Sequence, residues 1–302
     1  MASLPRLYSH FLQAKRDMTI YPSQKRSSSN NILIINRHIT SSLSSQISEP
    51  AIQRKSANYQ PTTWSYNFVQ SLNNVNADRM YKEKAKKLEE EVRSLIKDED
   101  TESLAILEMV DDIQRLGLGH RFQNDIKQIL EGIWCLEGVN YTYKAQKTSL
   151  HASALTFRLL RQHGYQFSQD VFRDFMDEKG QILASLKEDA NGILSLYEAS
   201  YLALEGELLL DKAIAETSIL LKNIQSNGSE ESYIKESIRR TLELPLHQRA
   251  LMLDARWYIE LYSKKEDANH KLLELAKLDF NMRQSVLQRD LKDIYRYEVK
   301  KI

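Results

Sequence analysis

The segment Leu104-Ala105-Ile106-Leu107-Glu108-Met109-Val110-Asp111-Asp112-Ile113-Gln114-Arg115-Leu116-Gly117-Leu118-Gly119 decides the fold class. Leu104, Leu107, Val110, Ile113 and Leu116 recur every third position and draw one apolar stripe along a helix. Gly117 and Gly119 then stop it, because glycine accepts backbone angles that other residues resist. Such punctuation is scarce elsewhere. The 302 residues include only 9 Gly and 5 Pro, under half of average usage. No proline lies within Thr62–Leu244, and every glycine falls between Gly117 and Gly228. A β-sandwich, barrel or propeller needs a turn about every ten residues, so these are excluded and an all-α array of long helices remains.

The remaining elements read outward from that segment. Lys82–Lys97 is charged and rich in helix formers, and Asp98-Glu99-Asp100 breaks it. Ser149 is a candidate cap for Leu150–His163, with Gly164 just past its end. Ser168 is a candidate cap for an α-helix over Gln169–Met176, with Asp170 in its first turn. Gly192 and Gly206 are expected to bracket a helix over Ile193–Leu204. Glu207–Ile224, Leu246–Tyr262 and Lys271–Ile294 complete about ten helices with short connections, in the range of bundles and α/α barrels. No repeat period of a solenoid is present.

Charge divides the chain. Residues 1–48 hold Arg6, Lys15, Arg16, Lys25, Arg26 and Arg37 against the single acid Asp17, with eleven serines. The whole chain sums to +1, so the body beyond the leader is mildly acidic. A basic, Ser-rich, acid-poor leader has the composition of an organelle transit peptide, or else of a disordered tail. The apolar run Ile32–Ile35 is too short for a secretory core, and no stretch reaches the ~20 apolar residues that span a bilayer. No nucleic acid and no membrane is therefore expected as partner. The single Cys135 excludes an internal disulfide and a thiolate cluster.

Sites of chemistry are sparse. The seven histidines form no i, i+4 pair and no HExxH, so helix-surface or helix-end positions are expected for them. There is no Gly-rich phosphate loop. Asp111-Asp112 is the only Asp-Asp pair, lacks a third carboxylate one turn on, and is expected to be solvated. Asp174 and Asp177 read as a wet helix end, and Asp98–Asp100 as an interhelix loop. One segment stands out: Gln53-Arg54-Lys55-Ser56-Ala57-Asn58-Tyr59-Gln60-Pro61-Thr62-Thr63-Trp64. It is either a linker that docks Trp64 on the body, or a basic strand that lies over an anionic site with Trp64 as anchor.

Arg54-Lys55, eight residues, then Trp64 resembles the paired-arginine and tryptophan motif of plant terpene synthases. The similarity continues in Asp112–Gly119, Thr148–His151, Phe157–Gly164, Leu196–Ser200, Glu243–His247, Ala255–Ile259 and Leu273–Asn281. It spans about 52–294 and is closest in character to plastid monoterpene and isoprene synthases. The resemblance implies an α/α-barrel N-terminal domain followed by a class I helical bundle. In that bundle, DDxxD and NSE/DTE motifs hold magnesium (or manganese), which draws diphosphate from a prenyl substrate, making the family lyases. It also implies that Arg54 and Lys55 form a lid over that pocket, with Trp64 as its anchor. Lys55 replaces the usual Arg and loses the bidentate fork.

Neither metal motif occurs in this chain, and the DxDD acid of class II cyclases is absent too. The expected organisation is a plastid transit peptide over 1–48, a lid segment over 49–78, the barrel domain over 79–265 and the first helices of an incomplete metal-binding domain over 266–302. Tyr295–Ile302 departs from the family pattern, as expected of a truncated gene model, splice product or pseudogene. The full-length form is expected to act on geranyl or a shorter prenyl diphosphate, and this chain to be inactive alone. The alternative is a non-catalytic helical protein that pairs with a full-length synthase. An apolar stripe of Leu272, Leu275, Leu278 and Met282, expected to be exposed, motivates that alternative.

Overall fold

The structure, a computed structural model, describes residues 64–72, 79–97, 101–144, 149–226 and 233–299. The leader over 1–48 and the pair Arg54-Lys55 lie outside the described residues, as do Asp98–Asp100. Among the described residues there are ten α-helices. They are α1 (Tyr66–Ser71), α2 (Arg79–Ile96), α3 (Ser103–Arg115), α4 (Gln123–Lys144), α5 (Leu150–Gln162), α6 (Ala190–Ser200), α7 (Leu208–Ser226), α8 (Tyr233–Glu243), α9 (Leu251–Tyr262) and α10 (His270–Val299). An isolated bridge between Met176 and Ile182 is the one extended pairing among these residues. The all-α expectation holds.

Two helix ends follow directly from their glycines. Gly117 takes φ +78° after α3; its N–H reaches the Gln114 carbonyl at 3.0 Å while the Leu118 N–H reaches that of Ile113 at 2.9 Å. Gly164 repeats this after α5 at φ +83°, with Gly164 N–H on Arg161 O and Tyr165 N–H on Leu160 O, both at 3.0 Å. Both are Schellman motifs, which satisfy carbonyls that would otherwise be orphaned. A Cβ on Gly117 would also stand 3.1 Å from Ala255 Cβ. At the other end of α5, the Ser149 hydroxyl accepts the Ala152 N–H at 3.1 Å, as its position predicts.

Three expectations are corrected. Ser168 does cap, accepting from Asp170 N–H, but the turn it opens is a 3₁₀ helix over Gln169–Phe175. Gly192 does not precede a helix: α6 begins at Ala190 under the Asp189 cap, whose carboxylate takes the Gly192 N–H at 2.9 Å, and it ends at Ser200. Leu246–Tyr262 is divided into a 3₁₀ turn over Leu246–Gln248 and α9. The break falls at Arg249, which is extended and turns its buried guanidinium inward to donate to the Leu244 carbonyl at 2.7 Å.

The main core joins α2, α3, α4, α5, α9 and α10. Val92, Val110, Ile113, Leu130, Leu159 and Leu275 are fully enclosed in it. The other face of α5 packs Phe157 against Phe172 and Leu196, and a third cluster joins α6, α7 and α8 around Ile193, Leu221 and Ile238. The stripe on α10 expected to be exposed is largely covered: Leu272 and Leu275 are buried, while Leu278 and Met282 pack against the core. Among the residues of this helix whose burial is described, the exposed large apolar ones are Val286, Leu287 and Ile294, in its C-terminal half.

Candidate functional site

Trp64 is the first described residue. It is about half exposed, its ring 6.4 Å from that of Phe68, which is also half exposed. Ser65 caps α1 by accepting the Phe68 N–H at 3.2 Å. Six residues cannot hold a helix alone, and α1 is fastened to α10. Val69 is completely buried. Gln70 Nε2 donates to the Lys292 carbonyl at 3.2 Å, and Arg296 Nε donates to Gln70 Oε1 at 3.0 Å. The Lys292 ammonium donates to the Leu72 carbonyl. The structure thus seats the end of the entry segment on the last helix through three polar contacts, with Val69 buried beside them.

The second constellation is a buried ionic cluster centred on α3. Asp111 and Asp112 are both more than nine-tenths buried, which corrects the expectation that they are solvated. Arg158 Nη2 of α5 lies 2.8 Å from Asp111 Oδ2, and Arg115 Nη1 lies 3.7 Å from the same oxygen. The Tyr258 hydroxyl donates to Asp112 Oδ1 at 2.6 Å, with Lys265 Nζ 3.6 Å from Asp112 Oδ2. Beyond Arg158 the chain of contacts runs through Glu198, Thr241, Arg249 and Asp254 to Arg240. Burial pushes Asp111 up, but Arg158 and Arg115 outweigh it and hold that carboxyl below its ordinary range. For Asp112 burial wins over Lys265 and Tyr258, and its pKa rises to about 6. Arg115 also lies 4.3 Å from the Tyr258 ring centre, a cation–π contact inside the same cluster.

A metal does not fit here. The carboxylates already face guanidinium, ammonium and hydroxyl donors, and among the described residues no three of His, Cys, Asp and Glu are grouped to hold an ion. Asp177 is used locally, accepting the Lys179 and Gln181 N–H groups at 2.9 and 2.8 Å.

His151 stands between Ser195 Oγ at 2.7 Å and Glu108 Oε1 at 3.1 Å. The order serine, histidine, carboxylate suggests nucleophilic chemistry, but Ser195 lies inside α6, where its N–H belongs to the helix ladder and cannot serve an oxyanion. The contact ties α3, α5 and α6 together. A further polar cleft, lined by Arg93, Lys97, His120, Arg121 and Asp125, has its guanidiniums occupied by Glu89, Asp125 and Asp279. This network fastens α2 and the start of α4 to α10.

The ionic cluster was not visible as a site in the sequence. Its one local signal is the i, i+4 spacing of Asp111 and Arg115. The remaining partners come from distant segments.

Comparison with known proteins agrees with this architecture. Residues 63–242 match the family model described as terpene synthase, N-terminal domain. The chain is 58% identical over 248 residues to the probable terpene synthase 12 of Ricinus communis, covering 82% of this chain and 41% of that protein. It is 51% identical over 246 residues to the chloroplastic isoprene synthase of Populus canescens, covering 81% and 40%. Among solved structures it is similar to the grey poplar isoprene synthase in complex with three Mg2+ ions and dimethylallyl-S-thiolodiphosphate. There the TM-score is 0.67 at 49% identity, over 79% of this chain and 43% of that one. The chain therefore spans about 40% of the length of the curated relatives it matches.

Proposed function

The chain belongs to the terpene synthase family, and from that premise we propose that it is the N-terminal part of a plastid monoterpene or isoprene synthase. The full-length form would eliminate diphosphate from geranyl or a shorter prenyl diphosphate with magnesium or manganese. The match of residues 63–242 to the family's N-terminal domain carries this reading. Asp111 and Asp112 already face guanidinium, ammonium and hydroxyl donors, so no metal-dependent step is assigned to them. Residues 1–48 are read as the transit peptide, 49–78 as the lid segment, 79–265 as the barrel domain and 266–302 as the opening of the metal-binding domain. Arg54 and Lys55 would be the lid cations and Trp64 their anchor; the fastening of α1 to α10 supports this, since it holds the end of the segment against the helix that would open the metal-binding domain.

The test is to purify the 302-residue chain and supply Mg2+ with geranyl and dimethylallyl diphosphate. No turnover is expected. Joining it at α10 to the C-terminal portion of the Ricinus relative is expected to give a diphosphate-releasing enzyme. Turnover by the 302 residues alone, or a folded fusion that releases no diphosphate, would overturn the assignment.

A second reading rests on the exposed residues Met252, Leu253, Val286, Leu287 and Ile294. Exposed apolar side chains suit a protein partner where they cluster, and a non-catalytic chain that pairs with a full-length synthase would use them. Co-purification with such a synthase, abolished by Leu287→Asp, is the expected result. A monomeric chain that leaves the synthase's activity unchanged would remove this reading.

A further inference from the structure

We propose that the junction of α3, α5 and α6 is a buried water site, in which a solvent molecule bridges Asp111 Oδ1 to the guanidiniums of Arg115 and Arg158. Three atoms lead to it. Asp111 Oδ1, Arg115 Nη2 and Arg158 Nε are enclosed and have no hydrogen-bond partner. Their residues are 8%, 8% and 3% exposed, and they adjoin one another through Asp111 Oδ2. An unmade hydrogen bond destabilises a buried neutral group, and a buried charged group more so. Three such losses on adjoining side chains are not sustained in a stable core.

The spacing of the ion pairs agrees. Arg115 Nη1 stands 3.7 Å from Asp111 Oδ2, and Arg158 Nε stands 3.6 Å from Glu198 Oε2. Both separations exceed a direct hydrogen bond, so neither ion pair satisfies the enclosed donors of Arg115 and Arg158. The occupant's chemistry follows from what faces it. Asp111 Oδ1 needs a donor, whereas Arg115 Nη2 and Arg158 Nε need an acceptor. An anion would meet the carboxylates of Asp111 and Glu198, and a cation would meet two guanidiniums. A small neutral molecule that both donates and accepts satisfies all three atoms, and a buried water typically makes about three hydrogen bonds. The site depends only on the described side chains and is independent of the family's reaction.

Oxygen-17 magnetic relaxation dispersion on the full chain counts waters that stay longer than the protein takes to tumble. Arg115→Met removes one donor while keeping most of the side-chain volume. The expected result is one fewer long-lived water in the variant than in the native chain. An unchanged count would overturn the site. Should Arg115→Met fail to fold, a high-resolution crystal structure of the native chain decides. Density for a water within hydrogen-bond reach of Asp111 Oδ1 supports the proposal, and a direct contact from Arg115 to that oxygen refutes it.

Discussion

Tyr258 and Asp112 are 146 residues apart in sequence, yet the tyrosine hydroxyl donates to the aspartate at 2.6 Å inside the core. The bond fixes α9 against α3, and it is the shortest contact Asp112 makes. Tyr258 is 1% exposed, so bulk solvent does not stand in for the hydroxyl. Tyr258→Phe should therefore cost about 1.5–3 kcal/mol, the range for a hydrogen bond to a charged group. Urea unfolding followed by circular dichroism measures it. A midpoint that does not move would show that Asp112 finds another donor.

The same aspartate sets a pH dependence of unusual sign. Burial raises its pKa from the ordinary 3.8 to about 6, against the opposing pull of Lys265 and Tyr258. Between those values the folded chain holds a proton that the unfolded chain releases. The stability this contributes is complete below about pH 4 and is lost as pH rises through 6, with a ceiling of ~3 kcal/mol. Asp111, Glu207 and Glu236 lie below their ordinary values and act oppositely, losing their contribution as pH falls. Asp112→Asn isolates the first effect. The stability of the native chain minus that of the variant should fall between pH 4.5 and pH 7. A rise would mean that Lys265 and Tyr258 prevail over burial.

These two predictions concern the part of the molecule that was least legible in its sequence. The stripe from Leu104 to Leu116 and the stops at Gly117 and Gly164 are local signals, so helix type and several boundaries could be read in advance. Gly192 misled because a glycine ends a helix only where the backbone turns left-handed, and Gly192 sits within the first turn of α6. Asp111 and Asp112 misled because adjacent residues on a surface helix do not both face inward. Here α3 is covered by α5 on one side and α9 on another, so both carboxylates are enclosed. Their partners Arg158, Tyr258 and Lys265 lie 47 to 153 positions away, and nothing in a local pattern announces them. The fastening of α1 to α10 was hidden for the same reason.

Arg161 illustrates how a residue within a resemblance motif acts structurally. Its guanidinium donates to the Phe167 carbonyl at 3.0 and 2.6 Å, to the Leu202 carbonyl at 2.9 Å and to both oxygens of Glu207 at 2.5 Å. It also lies 4.2 Å from the Phe157 ring centre. One planar fork thus closes the loops after α5 and α6. Arg161→Ala would leave half-buried Glu207 with only the Leu204 N–H as partner and should cost about 1.5–3 kcal/mol, the range for hydrogen bonds to a charged group. Arg161→Lys should recover less than half of that, because an ammonium cannot span the acceptors. Thermal unfolding of the three proteins tests the ranking, and equal melting of the Lys variant and the native chain would refute the fork argument.

Gln70 is the joint between the entry segment and the last helix. Its amide both donates to the Lys292 carbonyl and accepts from Arg296, so it bridges two turns of α10. Gln70→Ala removes both bonds, each worth about 0.5–1.5 kcal/mol. A helix of six residues has little stability of its own to offset the loss. The amides of Val69 and Leu72, which bond to the Ser65 and Val69 carbonyls, should then exchange with solvent deuterium about tenfold faster, the effect of 1.4 kcal/mol on local opening. Amides in α3 should be unaffected, because the substitution touches only the rim of the domain. Acceleration throughout the chain would instead show that α1 supports the global fold. Unchanged exchange at Val69 would show that its buried side chain, and not the Gln70 amide, holds α1 in place.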